Sequence, residues 1–108
     1  MTAASNGRLA SGTSAPADGE TTEALASCDG FRVEQILSGT VATPVDHLQE
    51  HDEWVIVVEG AAVVEVDDQR LEMAAGDWVM LPAGRPHRLL SVAPGTSWLA
   101  VHGRTGEP

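Results

Sequence analysis

From Phe31 onward the apolar positions recur mostly with a period of two, the mark of a half-buried strand, and not with the 3.6 of a helix. FRVEQILS places Phe31, Val33 and Gln35 on one face and Arg32, Glu34 and Ile36 on the other. That imperfect alternation suits a strand with both faces partly covered. WVIVV at 54–58 is a continuous apolar run short enough for a core strand, and Glu59-Gly60 punctuates it. AVVEV at 62–66 leads into Asp67-Asp68-Gln69, which reads as a hairpin turn, with RLEM at 70–73 as the return strand. MAAG at 73–76 fits a helical turn as well as a strand end. DWVMLP is a strand halted by Pro82, and PAGRP is a loop. HRLLSV at 87–92 is a further strand, Pro94-Gly95-Thr96 turns the chain, and SWLAVH at 97–102 is the last strand.

Before Phe31 the pattern changes. Thr21–Ala26 carries a short helical signal with Thr or Asp available as a cap. Residues 1–19 are rich in Ala, Ser, Gly and Thr and bury little, so they read as a disordered tail, or as an arm that orders on a partner subunit. Residues 20–108 form one domain. About seven or eight short strands with turns every eight to ten residues predict an all-β sandwich or barrel. The absence of a long helical period argues against a parallel α/β sheet.

Composition narrows the chemistry. The chain has 108 residues and a formal net charge of −10, from 16 acids against 6 bases, and every base is arginine. That balance opposes binding to nucleic acid, whose phosphates need a basic surface, and to an anionic membrane. Without lysine there is no Schiff base and no Walker-type phosphate loop. The single cysteine, Cys28, has no partner for an internal disulfide and reads as a packing residue. Lone-thiol usage suits a reducing cytoplasm, and equally a secreted protein that carries no disulfide. The N-terminus lacks the apolar middle of a signal peptide, and no run approaches the length of a membrane span.

Against this background HLQEHDEW, residues 47–54, stands out: two histidines, a glutamine and three acids at the mouth of a core strand. Either it is a solvated hairpin, or it is half of a metal site. Residues two apart in a strand share a face, so His47 and Gln49 are neighbours. With a turn near Glu50–Asp52, Glu53 opens the next strand and can point back to the same place. His87, which starts its strand straight after PAGRP, is the distant candidate to complete the set. A sheet closed into a barrel can bring the two segments together around a divalent ion.

These residues resemble the cupins. The first cupin motif ends H-x-H, three or four residues, E, six residues, G; here His47-Leu48-Gln49, Glu53 and Gly60 match, with Gln49 in place of the second histidine. The second motif reads G, five residues, P-x-G, two residues, H, three residues, N. Gly76, Pro82-Ala83-Gly84 and His87 match, with Ser91 for the closing Asn. The resemblance covers about residues 31–102. It implies a small antiparallel jelly-roll β-barrel, tight reversals at Gly60 and Gly76, and metal ligands at His47, Gln49, Glu53 and His87. Gln49 offers a neutral carbonyl oxygen, a weaker donor than imidazole for late transition metals. The set suits Fe(II), Mn(II), Zn(II) or Ni(II), and cupins with eroded ligand sets can lack metal.

Other residues have plainer readings. His51 is a solvated residue beside the site or a substitute for Gln49, and His102 is structural or at the rim. Trp54, Trp78 and Trp98 are packing residues, one of which could line a pocket. Arg85 and Arg88 flank His87 and either bind a carboxylate substrate or pair with surface acids. The expected function is a mononuclear metal cupin acting on a small organic molecule by oxygenation, isomerisation or lyase chemistry. The alternatives are a non-enzymatic small-molecule-binding module without catalytic metal, and a structural storage cupin. On family grounds the chain is expected to be a homodimer, joined through sheet edges or N-terminal strands.

Overall fold

The computed structural model describes residues 4–103, in nine strands. They are β1 (Glu20–Ser27), β2 (Phe31–Ser38), β3 (Val45–His47), β4 (Glu53–Glu59), β5 (Ala61–Val66), β6 (Gln69–Ala74), β7 (Trp78–Leu81), β8 (His87–Val92) and β9 (Thr96–Gly103). Two antiparallel sheets face one another, with orders β1-β2-β9-β4-β7 and β3-β8-β5-β6. This is the jelly-roll barrel that the resemblance implies. Among the described residues no helix is long and apolar enough to cross a membrane.

The core is the alternate residues of the two inner faces. Val55, Val57, Trp98 and Ala100 from the larger sheet meet Val64 and Leu89 from the smaller one. Val57 is fully buried, which alone stabilises the fold by roughly 1.5–3 kcal/mol relative to leaving it in water. Asp67 and Asp68 both have positive φ, 52° and 62°, and sit between the paired residues Val66 and Gln69. That is the two-residue hairpin geometry whose twist matches its strands, at a residue type that tolerates it. MAAG resolves as a strand end: β6 runs to Ala74, and Asp77 then closes the turn through bonds of 2.9 Å each way with Ala74.

The helical expectation for Thr21–Ala26 is overturned. The segment lies within β1, paired with β2 from Glu20–Ser38 to Ser27–Arg32. A six-residue helix is too short to hold itself together in water, whereas β2 supplies partners for the backbone groups along one edge of the segment. Cys28 is not packed away either; it is exposed in the turn between β1 and β2.

Of the stretch read as a tail, residues 1–3 lie outside the described residues, and residues 4–10 have no regular secondary structure. Its second half is tethered. Ala10 and the Gln35 side chain exchange hydrogen bonds of 3.0 and 2.8 Å, and Gly12 N donates to Glu59 Oε1 at 3.0 Å. A short 3-10 turn at Gly12–Ser14 follows, and backbone bonds join Ala17 and Gly19 to Gly39 and Thr40. This segment covers one end of the outer face of the five-stranded sheet.

Candidate functional site

The register of the smaller sheet sets His47 of β3 directly opposite His87 of β8. Their rings stack with centroids 5.2 Å apart and planes 12° from parallel. The loop before β8 is fixed to the segment carrying the other two residues. Gly84 N donates to the Gln49 carbonyl at 2.9 Å, and Ala83 N donates to Asp52 Oδ1 at 2.8 Å. Glu53 opens β4, is only 8 % exposed, and accepts a hydrogen bond from Gln49 Nε2 at 2.7 Å. His47, Gln49, Glu53 and His87 therefore line one cavity of about 260 Å³ inside the barrel. Its middle is an apolar belt that includes Ile36, Val55, Val64, Val79 and Leu89.

The electrostatics favour a neutral His87. Burial pushes its pKa below the ordinary 6.5; the Arg85 backbone pulls it back up in part, His47 pushes it down and Glu53 raises it. His87 Nδ1 is buried and makes no hydrogen bond of acceptable geometry. A neutral imidazole is the form in which histidine serves as a metal ligand.

Two imidazoles, a carboxylate and an amide oxygen fit a divalent first-row ion by donor type. Their arrangement is less complete. Among the described residues no group of three or more His, Cys, Asp or Glu is disposed to hold a metal ion. The Gln49–Glu53 hydrogen bond occupies one carboxylate oxygen of Glu53, and the other lies 3.8 Å from His102 Nε2.

A second polar chain lies beside this site. His51 Nε2 and His102 Nδ1 are 2.8 Å apart, and His102 Nε2 is 2.8 Å from Glu34 Oε1 and 3.8 Å from Glu53 Oε2. The Glu34 carboxylate can only accept, so His102 donates from Nε2 and, when neutral, accepts at Nδ1 from His51. His102, read from sequence as structural or at the rim, is 8 % exposed and at the centre of this chain. Glu34 gave no sequence signal beyond its place in an alternating strand. Arg85 and Arg88 take the plainer of their two readings, pairing with Asp67 and with Asp46 (2.6 Å), all well exposed. A wider open groove of about 600 Å³ also borders His47 and His87, but its rim is dominated by Asp46, Glu65, Asp67 and Asp68.

At the β1 side of the 260 Å³ cavity are Glu20 and Thr22. Trp98 Nε1 donates to Ser38 Oγ at 3.0 Å, and the buried Ser38 hydroxyl in turn donates to the Glu20 carboxylate. Trp98 is thus the tryptophan that lines the pocket, while Trp54 and Trp78 pack on each other at 5.9 Å.

The fold and the cavity define the class. The family model described as "Cupin domain" matches residues 32–102, and the chain belongs to that family. It is similar to a solved protein from Ralstonia eutropha JMP134, provisionally described as a mannose-6-phosphate isomerase. The two are 30% identical over 92% of this chain and 100% of that one, with a TM-score of 0.76. The fold is shared with KdgF from a Halomonas species (21% identity, 79% and 80% coverage, TM-score 0.72). It is shared too with a cupin superfamily protein from Desulfitobacterium hafniense DCB-2 (23%, 83% and 82%, TM-score 0.68). No curated protein matches the sequence.

Proposed function

We propose that this cupin binds a small organic molecule in the barrel cavity, beside a divalent metal ion held by His47, Gln49, Glu53 and His87. The observation that carries the reading is that residues from two motifs some forty positions apart line one cavity. A bound Fe, Mn, Zn or Ni ion would supply a Lewis acid for a carbonyl or enolate oxygen. The chain's own residues do the rest. His47 and His87 present lone pairs, the Gln49 amide a neutral oxygen and Glu53 the one negative charge. The apolar belt keeps water from the bound molecule. Oxygenase, isomerase and lyase chemistry all fit such a site. The description given to the Ralstonia neighbour lends weight to the isomerase class. Elemental analysis of protein purified without a histidine tag is expected to find about one metal ion per chain.

A second reading is favoured by the Gln49–Glu53 hydrogen bond. It ties the carboxylate to the amide and leaves a polar but metal-free pocket, as a non-enzymatic binding module would have. Protein that stays metal-free after dialysis against Fe(II), Mn(II), Zn(II) and Ni(II) in turn would establish this reading over the first. For either reading we place the protein in the cytoplasm, in keeping with its exposed, unpaired Cys28.

The proposal includes a homodimer. The outer face of the larger sheet carries Val33, Val101, Trp54 and Met80 in one cross-strand row and Leu99, Ile56 and Trp78 in the next. Trp78 is 60 % and Met80 42 % exposed. A flat apolar face on a strongly acidic chain suits a second copy of itself, since two such faces meet with the acids kept outside. Size-exclusion chromatography with light scattering is expected to give a dimer, and Leu99→Glu, at the middle of the face, to give a folded monomer. A wild-type monomer at tens of micromolar removes the dimer and leaves the cavity reading intact.

A further inference from the structure

The cavity has two polar ends and one sign of fixed charge. Its ionisable lining consists of Glu20, Glu53, His47 and His87, and none of the arginines of the described residues lines it. Arg32, Arg85 and Arg88 are instead paired with Glu34, Asp67 and Asp46. Glu20 lies in the strand row of Ser38 and Thr96, whereas Glu53 lies in the row of His102. Thr96 and His102 are six positions apart on β9, about 20 Å at 3.3 Å per residue. The two carboxylates thus enter the cavity from opposite ends, with the apolar belt between them.

From this arrangement we infer that the site takes a small uncharged or cationic molecule with an apolar body, which presents a hydroxyl or ammonium group to Glu20, and that it rejects phosphate esters. The inference rests on the reading of this cavity as the ligand site, and names the ligand class. Size sets one bound: 260 Å³ lies between a benzene-sized cavity of about 150 Å³ and the usual drug-sized pocket, and so holds on the order of ten heavy atoms. Charge sets the other. A phosphate entering past Glu20 would meet a carboxylate with no guanidinium to offset it, whereas phosphate sites are built from arginine, lysine or clustered backbone N–H groups. Glu20 is held ready by the buried Ser38 hydroxyl, itself steadied by Trp98 Nε1. A carboxylate oriented in this way retains free lone pairs for a donor. Glu20 lies at the end away from His47 and His87, so its preference is that of the metal-free cavity; a cation held by the histidines would offer an anion a partner at the other end.

The test is a titration of EDTA-treated protein, and of its Glu20→Gln variant, with benzylamine, toluene and mannose 6-phosphate, followed by protein-observed NMR. Wild type is expected to bind benzylamine about five-fold more tightly than toluene, the upper end for a charge pair at an exposed carboxylate. In Glu20→Gln the two should fall within about two-fold. Mannose 6-phosphate should show no saturable binding. The inference is overturned by mannose 6-phosphate binding as tightly as benzylamine, by a benzylamine preference that survives in the variant, or by none of the three binding. The wild-type ratio of benzylamine to toluene decides alone if the variant loses β1. Metal content separates the two proposals. A chain that holds a metal ion but shows no benzylamine preference loses this inference and keeps the metal reading; the reverse result loses the metal reading alone.

Discussion

Replacement of His87 by alanine is expected to lower metal affinity by about a hundred-fold or more, a larger loss than at any other residue of the set. Changing residues that merely support a ligand already costs 10–100-fold, and an imidazole ligand contributes more than its supports. His87 is the donor whose environment most favours the binding form. Burial holds it neutral. Gln49→Ala should cost less, because the amide oxygen is the weakest donor and already serves Glu53 through its nitrogen. The fold should survive His87→Ala, since the change removes a buried unsatisfied nitrogen together with its ring. Calorimetric titration with Mn(II) or Ni(II), alongside thermal melting, measures both quantities. Unchanged metal binding in the folded variant would remove His87 from the site.

A large effect on stability is expected at Gly60. Gly60 and Gly76 share a φ of +93°, so alanine at either pays about 1–2 kcal/mol for the left-handed backbone. Their surroundings differ. A Cβ on Gly76 would meet nothing within 4 Å, but one on Gly60 would lie 2.8 Å from Thr96 Cα and closer still to its Oγ1. Thr96 cannot yield easily: it is fully buried, and its hydroxyl bonds the Ala93 carbonyl at 2.6 Å and the Ala61 carbonyl at 3.2 Å. Overpacking of this kind adds about 1–3 kcal/mol. Gly60→Ala should therefore lose roughly 2–5 kcal/mol and Gly76→Ala about 1–2 kcal/mol. At about 4–8 °C per kcal/mol, Gly60→Ala should melt at least ~8 °C below wild type. Equal melting temperatures for the two variants would show that the turn at Gly60 relaxes in a way the packing does not suggest.

How much was readable in advance differs along the chain. The strands from WVIVV to SWLAVH could be read because their apolar runs are short and Gly, Pro or Asp-Asp marks each end. β1 could not, because its sequence has no alternating apolar face; it is a strand only through its pairing with β2. The four residues of the candidate metal set were legible through motif spacing, since turns of fixed length between rigid strands dictate where a side chain re-enters. The His51–His102–Glu34 chain joins residues 51 and 68 positions apart. It depends on the register of β9 between β2 and β4, which no local pattern encodes. Glu20 was hidden for the same reason: its role depends on the tryptophan two strands away.

β1 is exposed along all eight of its residues and lies at the sheet margin, hydrogen-bonded to a strand on one side only. It contributes no residue to the buried core cluster. Detaching it exposes little apolar surface, so it belongs to the weakest part of the free-energy spectrum of opening, well below global unfolding. Glu20 and Thr22 travel with it. Transient fraying of this one ribbon would widen the doorway to the barrel interior while the rest of the molecule stays intact, so exchange of a bound molecule need not wait for the protein to unfold.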